Sequence, residues 1–408
     1  MAKVEFSDFN DYSFWLRLRR DRDVSFSRFF NHFLNTSNLF DFCHALELPE
    51  VIAQKGLDAH AAYPLFVPKA FVAKMEKGNP RDTLLLQILP QAEELLTVDG
   101  FSDDPLHEQH SRIAGKMPAN PGAGKMPAIP GAGKMPAIPG AGKMPAIPGA
   151  GRMPAIPGAV PGVCPLLQKY EGRILLLATN QCAVHCRYCF RRNLKKQAAV
   201  SLMRFLQDDS RVFPAEVILS GGDPLSLADD ELAELLATLR ARPQVRRIRI
   251  HTRFPAIDPK RLTPQLLSAL RSDRKTVFSM VLHINHPREI DAEFADAMTE
   301  AVDRGIPVFV QSVLLRNVND DFSTLFELYE KSISLRMTPY YLHQLDRVAG
   351  TAHFEVDVRH GLELMDRLRR SLPGYAVPRY VREIPGTASK TPVSAVAFPE
   401  ESPEESPT

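Results

Sequence analysis

Residues 174–189 read ILLLATNQCAVHCRYC, an apolar run followed by three cysteines within eight positions. An unbroken apolar run of this length suits a strand covered on both faces, as in a parallel sheet. Cys182, Cys186 and Cys189 then fall in the loop after that strand. Five similar runs follow: EVILSGG (216–222), RRIRIHTR (246–253), FSMVLHI (278–284), PVFVQSVLL (307–315) and TPYYLHQL (338–345). Between them lie DDELAELLATLRAR (229–242), TPQLLSALRS (263–272), DAEFADAMTEAVDRG (291–305) and TLFELYEKSISL (324–335), each patterned as a helix. Six strand–helix units predict an α/β fold, a parallel sheet curled into a partial (β/α)6 TIM-like barrel. Barrels of this kind place chemistry at the C-terminal ends of their strands. Polar residues gather there: Cys182 after the first strand, Gly221-Gly222-Asp223 after the second, His251 and Arg253 at the third, His283 and Asn285 at the fourth, Gln311 in the fifth and Asp346 after the sixth.

Upstream, SFSRFFNHFL (25–34), DFCHALELPEVIA (41–53) and PRDTLLLQILPQAEELL (80–96) each read as an amphipathic helix, giving a helical N-terminal region over 1–105. Five nine-residue units, GKMPANPGA at 115–123 through GRMPAIPGA at 151–159, then occupy an insertion over 106–163. Two prolines and two glycines per unit, with one methionine and at most one isoleucine, predict a disordered, polyproline-leaning segment rather than a solenoid. The GAGK within it lacks the strand and helix of a phosphate loop. The barrel domain spans 164–395 and a disordered tail 396–408.

The remaining bulk properties exclude more than they specify. Net charge is +2, and the repeats carry five basic residues and no acid, so the rest of the chain is slightly acidic and no nucleic-acid partner is expected. Nothing resembles a signal peptide, and no apolar run reaches the roughly 18 residues of a membrane span; the expectation is a cytoplasmic protein with no membrane partner. An odd number of cysteines, five, argues against a disulfide framework. Structural zinc wants four closed ligands, and within the loop only His185 could be the fourth. Three thiolates suit a cubane iron–sulfur cluster with one iron left open.

C-x3-C-x2-C after the first strand resembles the signature of radical S-adenosylmethionine enzymes. CRYCFRR (186–192), SGGDPL (220–225), HINHP (283–287), QSVLLRNVND (311–320), PYYLH (339–343), GTAHF (350–354) and SKTPV (389–393), in this order, resemble the lysine 2,3-aminomutase family within that superfamily. The nearest branch is the one that makes β-lysine for elongation factor P. The resemblance implies a [4Fe-4S] cluster on Cys182, Cys186 and Cys189, S-adenosylmethionine on its open iron, and pyridoxal 5'-phosphate in Schiff-base linkage to Lys390. It further implies that Gly221, Gly222 and Asp223 contact the methionyl amine, and that His283 lies near S-adenosylmethionine and Gln311 near the pyridoxal phosphate; Arg253, at a strand end, is expected to bind the phosphate. Arg191 corresponds to the clamp on the substrate carboxylate, and Asp346 with Glu383 to the acids that receive the ε-ammonium of L-lysine. Glu383 stands where the classical aminomutases carry aspartate, and PGTASK (385–390) has fewer glycines than the family's usual turn. The C-terminal zinc-binding cysteines of some stand-alone members are absent, which favours the translation branch. A flavodoxin- or ferredoxin-like electron donor, a functional link to the elongation factor P ligase and a homo-oligomeric state are expected of such an enzyme. Rival readings are a free-lysine or other amino-acid 2,3-aminomutase, and a non-catalytic iron–sulfur interaction module.

Overall fold

The computed structural model describes residues 39–108, 166–170, 172–193, 202, 206, 213–387 and 389–394. The helix predicted at 25–34, the repeats, Cys164 and the tail lie outside the described residues. One sheet holds nine strands in sequence order. These are β1 (Leu166–Tyr170), β2 (Arg173–Thr179), β3 (Glu216–Gly221), β4 (Arg247–Thr252), β5 (Val277–His283), β6 (Val308–Val313), β7 (Thr338–His343), β8 (Arg379–Arg382) and β9 (Thr391–Pro392). From β2 to β8 every pairing is parallel, while β1 and β9 flank the sheet antiparallel. The six strands expected from the sequence are all present. Strand β8 reads RYVR and β9 has two residues, too little sequence for periodicity to register.

The helices numbered here are α1 (Leu39–Ala45), α2 (Glu50–Ala62), α3 (Lys69–Val72), α4 (Thr83–Leu86), α5 (Asp229–Ala241), α6 (Phe254–Ile257), α7 (Pro264–Ala269), α8 (Ala292–Asp303), α9 (Phe322–Ser334) and α10 (Val358–Ser371). The helix expected across 41–53 is broken at Pro49, between α1 and α2, because proline disfavours the helical region at the residue before it. The one expected across 80–96 is likewise divided by Pro90, between α4 and a 3-10 turn at Ala92–Leu95. Asp82 caps α4, accepting from the amides of Leu84 at 2.9 Å and Leu85 at 2.8 Å.

Strands covered on both faces, as the apolar runs predict, occur in β3 (Val217, Ile218, Leu219) and β5 (Met280, Val281, Leu282), but other strands alternate. Along β6, Val308, Val310 and Ser312 are buried while Phe309, Gln311 and Val313 are half-buried. Strand β4 alternates in the same way, with Ile248 and Ile250 in the core and Arg249 and His251 on the other face. The outer face packs on the helices, and the inner face lines a half-open lumen with polar and aromatic side chains. One continuous buried core runs from Leu39 to Val393, so the N-terminal helices share it with the barrel.

Gly361 marks the tightest contact between α10 and the sheet. A Cβ there would stand 2.2 Å from Tyr380 Oη, a hydroxyl that donates to Gln344 Oε1. Gly361→Ala gains about 1 kcal/mol of helix propensity, yet overpacking should outweigh it and destabilise the protein by about 1–3 kcal/mol in urea unfolding. Adding Tyr380→Phe removes the clashing oxygen and should recover part of the loss; no recovery would place the strain elsewhere.

Candidate active site

The cysteine loop is held from the side opposite the barrel. Arg187, between Cys186 and Tyr188, has no solvent exposure. Its guanidinium donates to both Glu94 oxygens, to the Tyr63 carbonyl and, at 3.2 Å, to the Ala59 carbonyl at the end of α2. Arg192 shares Glu94 and also donates to the Gly350 carbonyl at 3.0 Å. The loop backbone adds two bonds to the N-terminal region, His185 N to Phe66 O at 3.0 Å and Arg187 N to Gln87 O at 2.9 Å. The His185 ring stacks on Tyr63 at 5.0 Å and directs Nδ1 to the Pro64 carbonyl at 2.8 Å. His185 is thus oriented away from a ligand role beside the cysteines.

From the barrel side, the end of β3 grips the same loop. Gly222 N donates to Thr179 O and Asp223 N to Gln181 O, both at 2.7 Å. A Cβ on Gly221, whose φ is 113°, would meet Thr179 O at 2.5 Å; one on Gly222 would meet Gln181 O at 2.1 Å. Only glycine permits so close a backbone approach. Asp223 is buried, and its carboxylate accepts from Thr252 Oγ1 and Arg253 N at 2.7 Å and from Leu225 N and Phe254 N at 3.0 Å. Three of these bonds join the end of β3 to the end of β4, so the side chain sets the shape of the mouth.

Arg253 lies beneath the cysteines. It donates to Cys186 Sγ at 2.8 Å, Tyr188 Oη at 2.6 Å, Gln87 Oε1 at 2.6 Å and Glu289 Oε2 at 3.2 Å. Its fork is thus committed to the cysteine loop and its neighbours. His283 Nε2 lies 2.9 Å from Tyr188 Oη, with the rings stacked at 5.6 Å. Burial, then the Arg253 charge, pushes the His283 imidazole down to about 3, so it is neutral at ordinary pH.

The remaining candidates line the lumen or its rim. Gln311 pairs with His283 across β5 and β6. Asp346 and Glu383 stand three and two residues beyond the paired His343 and Val381, at the ends of adjacent strands β7 and β8. Lys390 Nζ forms an ion pair with Glu383 and lies 5.6 Å from the Tyr341 ring centroid. Arg191 reaches Glu108, Ser220 Oγ at 3.2 Å and the Gly221 carbonyl at 3.3 Å. His251 and His343 are held well below the ordinary imidazole range by burial and then by nearby cations: Arg249, Lys390 and Arg191 for His251, and Lys390 for His343. Neutral imidazoles leave the lumen's positive charge on Lys390, Arg191 and Arg249.

The donor sets fit the groups implied by the sequence. Cys182, Cys186 and Cys189 are free thiols in one loop. Burial raises Cys182 well above the usual thiol range and Cys189 to about 11, and each is raised further by neighbouring cysteine charge. Burial and mutual charge disfavour the thiolates of Cys182 and Cys189, a cost that a cationic centre would relieve. Among the described residues no three His, Cys, Asp or Glu converge on a single-ion site. Around Lys390, the buried Nε2 of His251 and Nε of Arg249 lack partners among the described residues, as suits a lumen that receives a polar, anionic group.

No protein-family model matches the chain. L-lysine 2,3-aminomutase of Escherichia coli (strain K12) is 37% identical over 343 residues, 83% of this chain and 85% of the relative. The chain belongs to the lysine 2,3-aminomutase family. L-lysine 2,3-aminomutase of Haemophilus influenzae is 36% identical over 355 residues, covering 85% and 89%, and that of Clostridium subterminale 38% over 242 residues, covering 57% and 56%. Likeness to solved structures is partial. A radical SAM methyltransferase from Sphaerobacter thermophilus, 19% identical, covers 55% of this chain and 71% of its own with a TM-score of 0.40. Streptococcus suis SuiB bound to S-adenosylmethionine, 12% identical, covers 53% and 51% with a TM-score of 0.38. No helix among the described residues is long and apolar enough to cross a membrane.

In this aminomutase-family chain, the sequence reading missed Glu94, Gln87, Arg187, Glu108 and Glu289, which organise the site from a distance. Each is an unremarkable charged or amide residue whose partner lies far away in the chain, and no local pattern marks it. Glu94 is the most consequential. Glu94→Gln leaves two buried guanidinium groups without a counter-charge and should cost about 3–5 kcal/mol in denaturant unfolding. The three loop thiols should also react faster with an alkylating reagent. Unchanged stability and thiol reactivity would mean that Arg187 finds solvent instead.

Proposed function

We propose that the chain is a radical S-adenosylmethionine, pyridoxal phosphate-dependent enzyme that converts L-lysine to (R)-β-lysine. The observation that carries this reading is a convergence on one histidine. His251 feels the charges of Lys390 and Arg191, and on the adjacent strand β5 His283 stacks on the tyrosine of the cysteine loop. In this reading an amine, a guanidinium for the substrate carboxylate and three free thiols open on one lumen at the C-terminal end of a parallel sheet. This is where such barrels do their chemistry.

In this reading Cys182, Cys186 and Cys189 hold a [4Fe-4S] cluster, with S-adenosylmethionine against the Gly221-Gly222 turn. Lys390 anchors pyridoxal phosphate. When bound, these groups supply a hydrogen-abstracting radical, generated with one electron from a small redox protein, and a conjugated ring that spreads unpaired spin next to the amine. The chain itself supplies binding, orientation and dryness. Glu383, hydrogen-bonded to Lys390 Nζ, accepts the proton that must leave this nitrogen before it becomes a nucleophile. Once Lys390 is engaged, Glu383 and Asp346 at neighbouring strand ends are placed for the ε-ammonium of the substrate, and Arg191 for its carboxylate. Neutral His251, His283 and His343 line the walls without competing for either charged end. HCRYCFRR, YLHQLD and GTAHF support the branch whose product modifies elongation factor P through its ligase.

Anaerobic reconstitution with iron, sulfide, pyridoxal phosphate, S-adenosylmethionine and dithionite tests the reading. L-Lysine should yield (R)-β-lysine on chiral chromatography, and Lys390→Ala or Cys186→Ala should abolish it. Release of deoxyadenosine without β-lysine would keep the radical chemistry and reject lysine as substrate, with Asp346 and Glu383 wrongly assigned.

A further inference from the structure

Residues 100–108 lie across the mouth of the barrel. Ser102 bridges to Val348: its amide donates to Arg347 O at 3.1 Å, and its carbonyl accepts from Ala349 N at 2.9 Å. Asn193, four residues past the last loop cysteine, donates to Asp103 Oδ1 at 3.2 Å and to Ala349 O at 3.1 Å. The segment then turns sharply. Asp104 accepts from His107 N at 3.1 Å through its carbonyl and from Glu108 N at 2.9 Å through Oδ1. His107 adopts a φ of 54°, the left-handed region that side chains other than glycine seldom enter. A strained residue maintained by surrounding bonds points to a task for what it aims.

What it aims is Glu108. Both carboxylate oxygens receive Arg191, Oε2 from Nε and Oε1 from Nη2, each at 2.8 Å. Nη1 of the same guanidinium donates to Ser220 Oγ and the Gly221 carbonyl. A guanidinium has five N–H donors in a rigid plane. Four are therefore committed, and the plane and direction of the fifth, on Nη2 at the tip of the fork, are fixed. Both side chains of the pair are only 14% exposed, so this geometry is not surrendered to solvent.

We propose that Glu108 is a positioning residue: it locks the fork of Arg191 so that its tip presents one fixed donor to the carboxylate of the amino-acid substrate. The assignment rests on the reading of Arg191 as the substrate-carboxylate clamp. By sharing the charge of Arg191, Glu108 also makes recognition depend on direction more than on net attraction, which favours an α-carboxylate held in one pose.

Steady-state kinetics of the reconstituted full-length enzyme test this. Glu108→Ala should raise KM for L-lysine roughly tenfold with kcat changed by less than about threefold. Glu108→Gln, whose amide nitrogen would oppose a guanidinium N–H, should behave like alanine, and Glu108→Asp should recover part of the affinity. Combined with Arg191→Ala, Glu108→Ala should add nothing, because the residue through which it acts is gone. Lysinamide, which lacks the carboxylate, should inhibit wild type and Glu108→Ala equally. A lowered KM would identify Glu108 as a competitor for the clamp and overturn the proposal, as would an unchanged KM or additivity with Arg191→Ala. A wild type that produces no β-lysine fails the activity reading and this assignment with it; an active wild type with an indifferent Glu108→Ala fails this assignment alone.

Discussion

The site depends on a charge buried behind it. Arg187 sits between two loop cysteines and turns away from the barrel into Glu94 and the carbonyls that end α2. Its neighbours Cys186 and Tyr188 must then face the other way, toward Arg253 and His283. A buried guanidinium is tolerated only with a counter-charge and satisfied donors. The N-terminal helices are therefore part of the active centre: without their carbonyls and Glu94, the loop has no fixed direction.

Charge management continues into the lumen. Cations there are paired with acids or lean on rings: Lys390 with Glu383 and Tyr341, Arg191 with Glu108, and Arg249 with Glu216 and, at 3.3 Å, Tyr340 Oη. The imidazoles between them are neutral because burial and these cations disfavour another proton. In the proposed reading, a zwitterionic amino acid with a second ammonium meets a matching order of charges, carboxylate toward Arg191 and ammonium toward the acids after β7 and β8.

Much of this was legible in the chain. Strands β2 to β7 announce themselves as apolar runs, and the three cysteines fall in the loop after the first of them. Long amphipathic helices such as α8 and α9 follow from their periodicity. Pairings across sequence did not show. Glu94 and Arg187 are 93 residues apart, Glu108 and Arg191 83, and nothing local distinguishes a buried acid from a surface one. Arg253 shows the same limit. A strand-end arginine suggests a phosphate, but packing delivers its fork to Cys186, Gln87 and Glu289. The glycines of GGD were legible as a special segment, whereas their reason, backbone contact with Thr179 and Gln181, belongs to the tertiary structure.

In the proposed enzyme Cys182, Cys186 and Cys189, held by the Arg187 anchor, carry a cluster with one iron open to the lumen. Electron paramagnetic resonance of the anaerobically reconstituted, reduced protein tests it most directly. About four irons per chain are expected, with a reduced-cluster signal that changes when S-adenosylmethionine is added and that is lost in Cys182→Ala. One zinc per chain with no iron, or a cluster signal indifferent to S-adenosylmethionine, would contradict it.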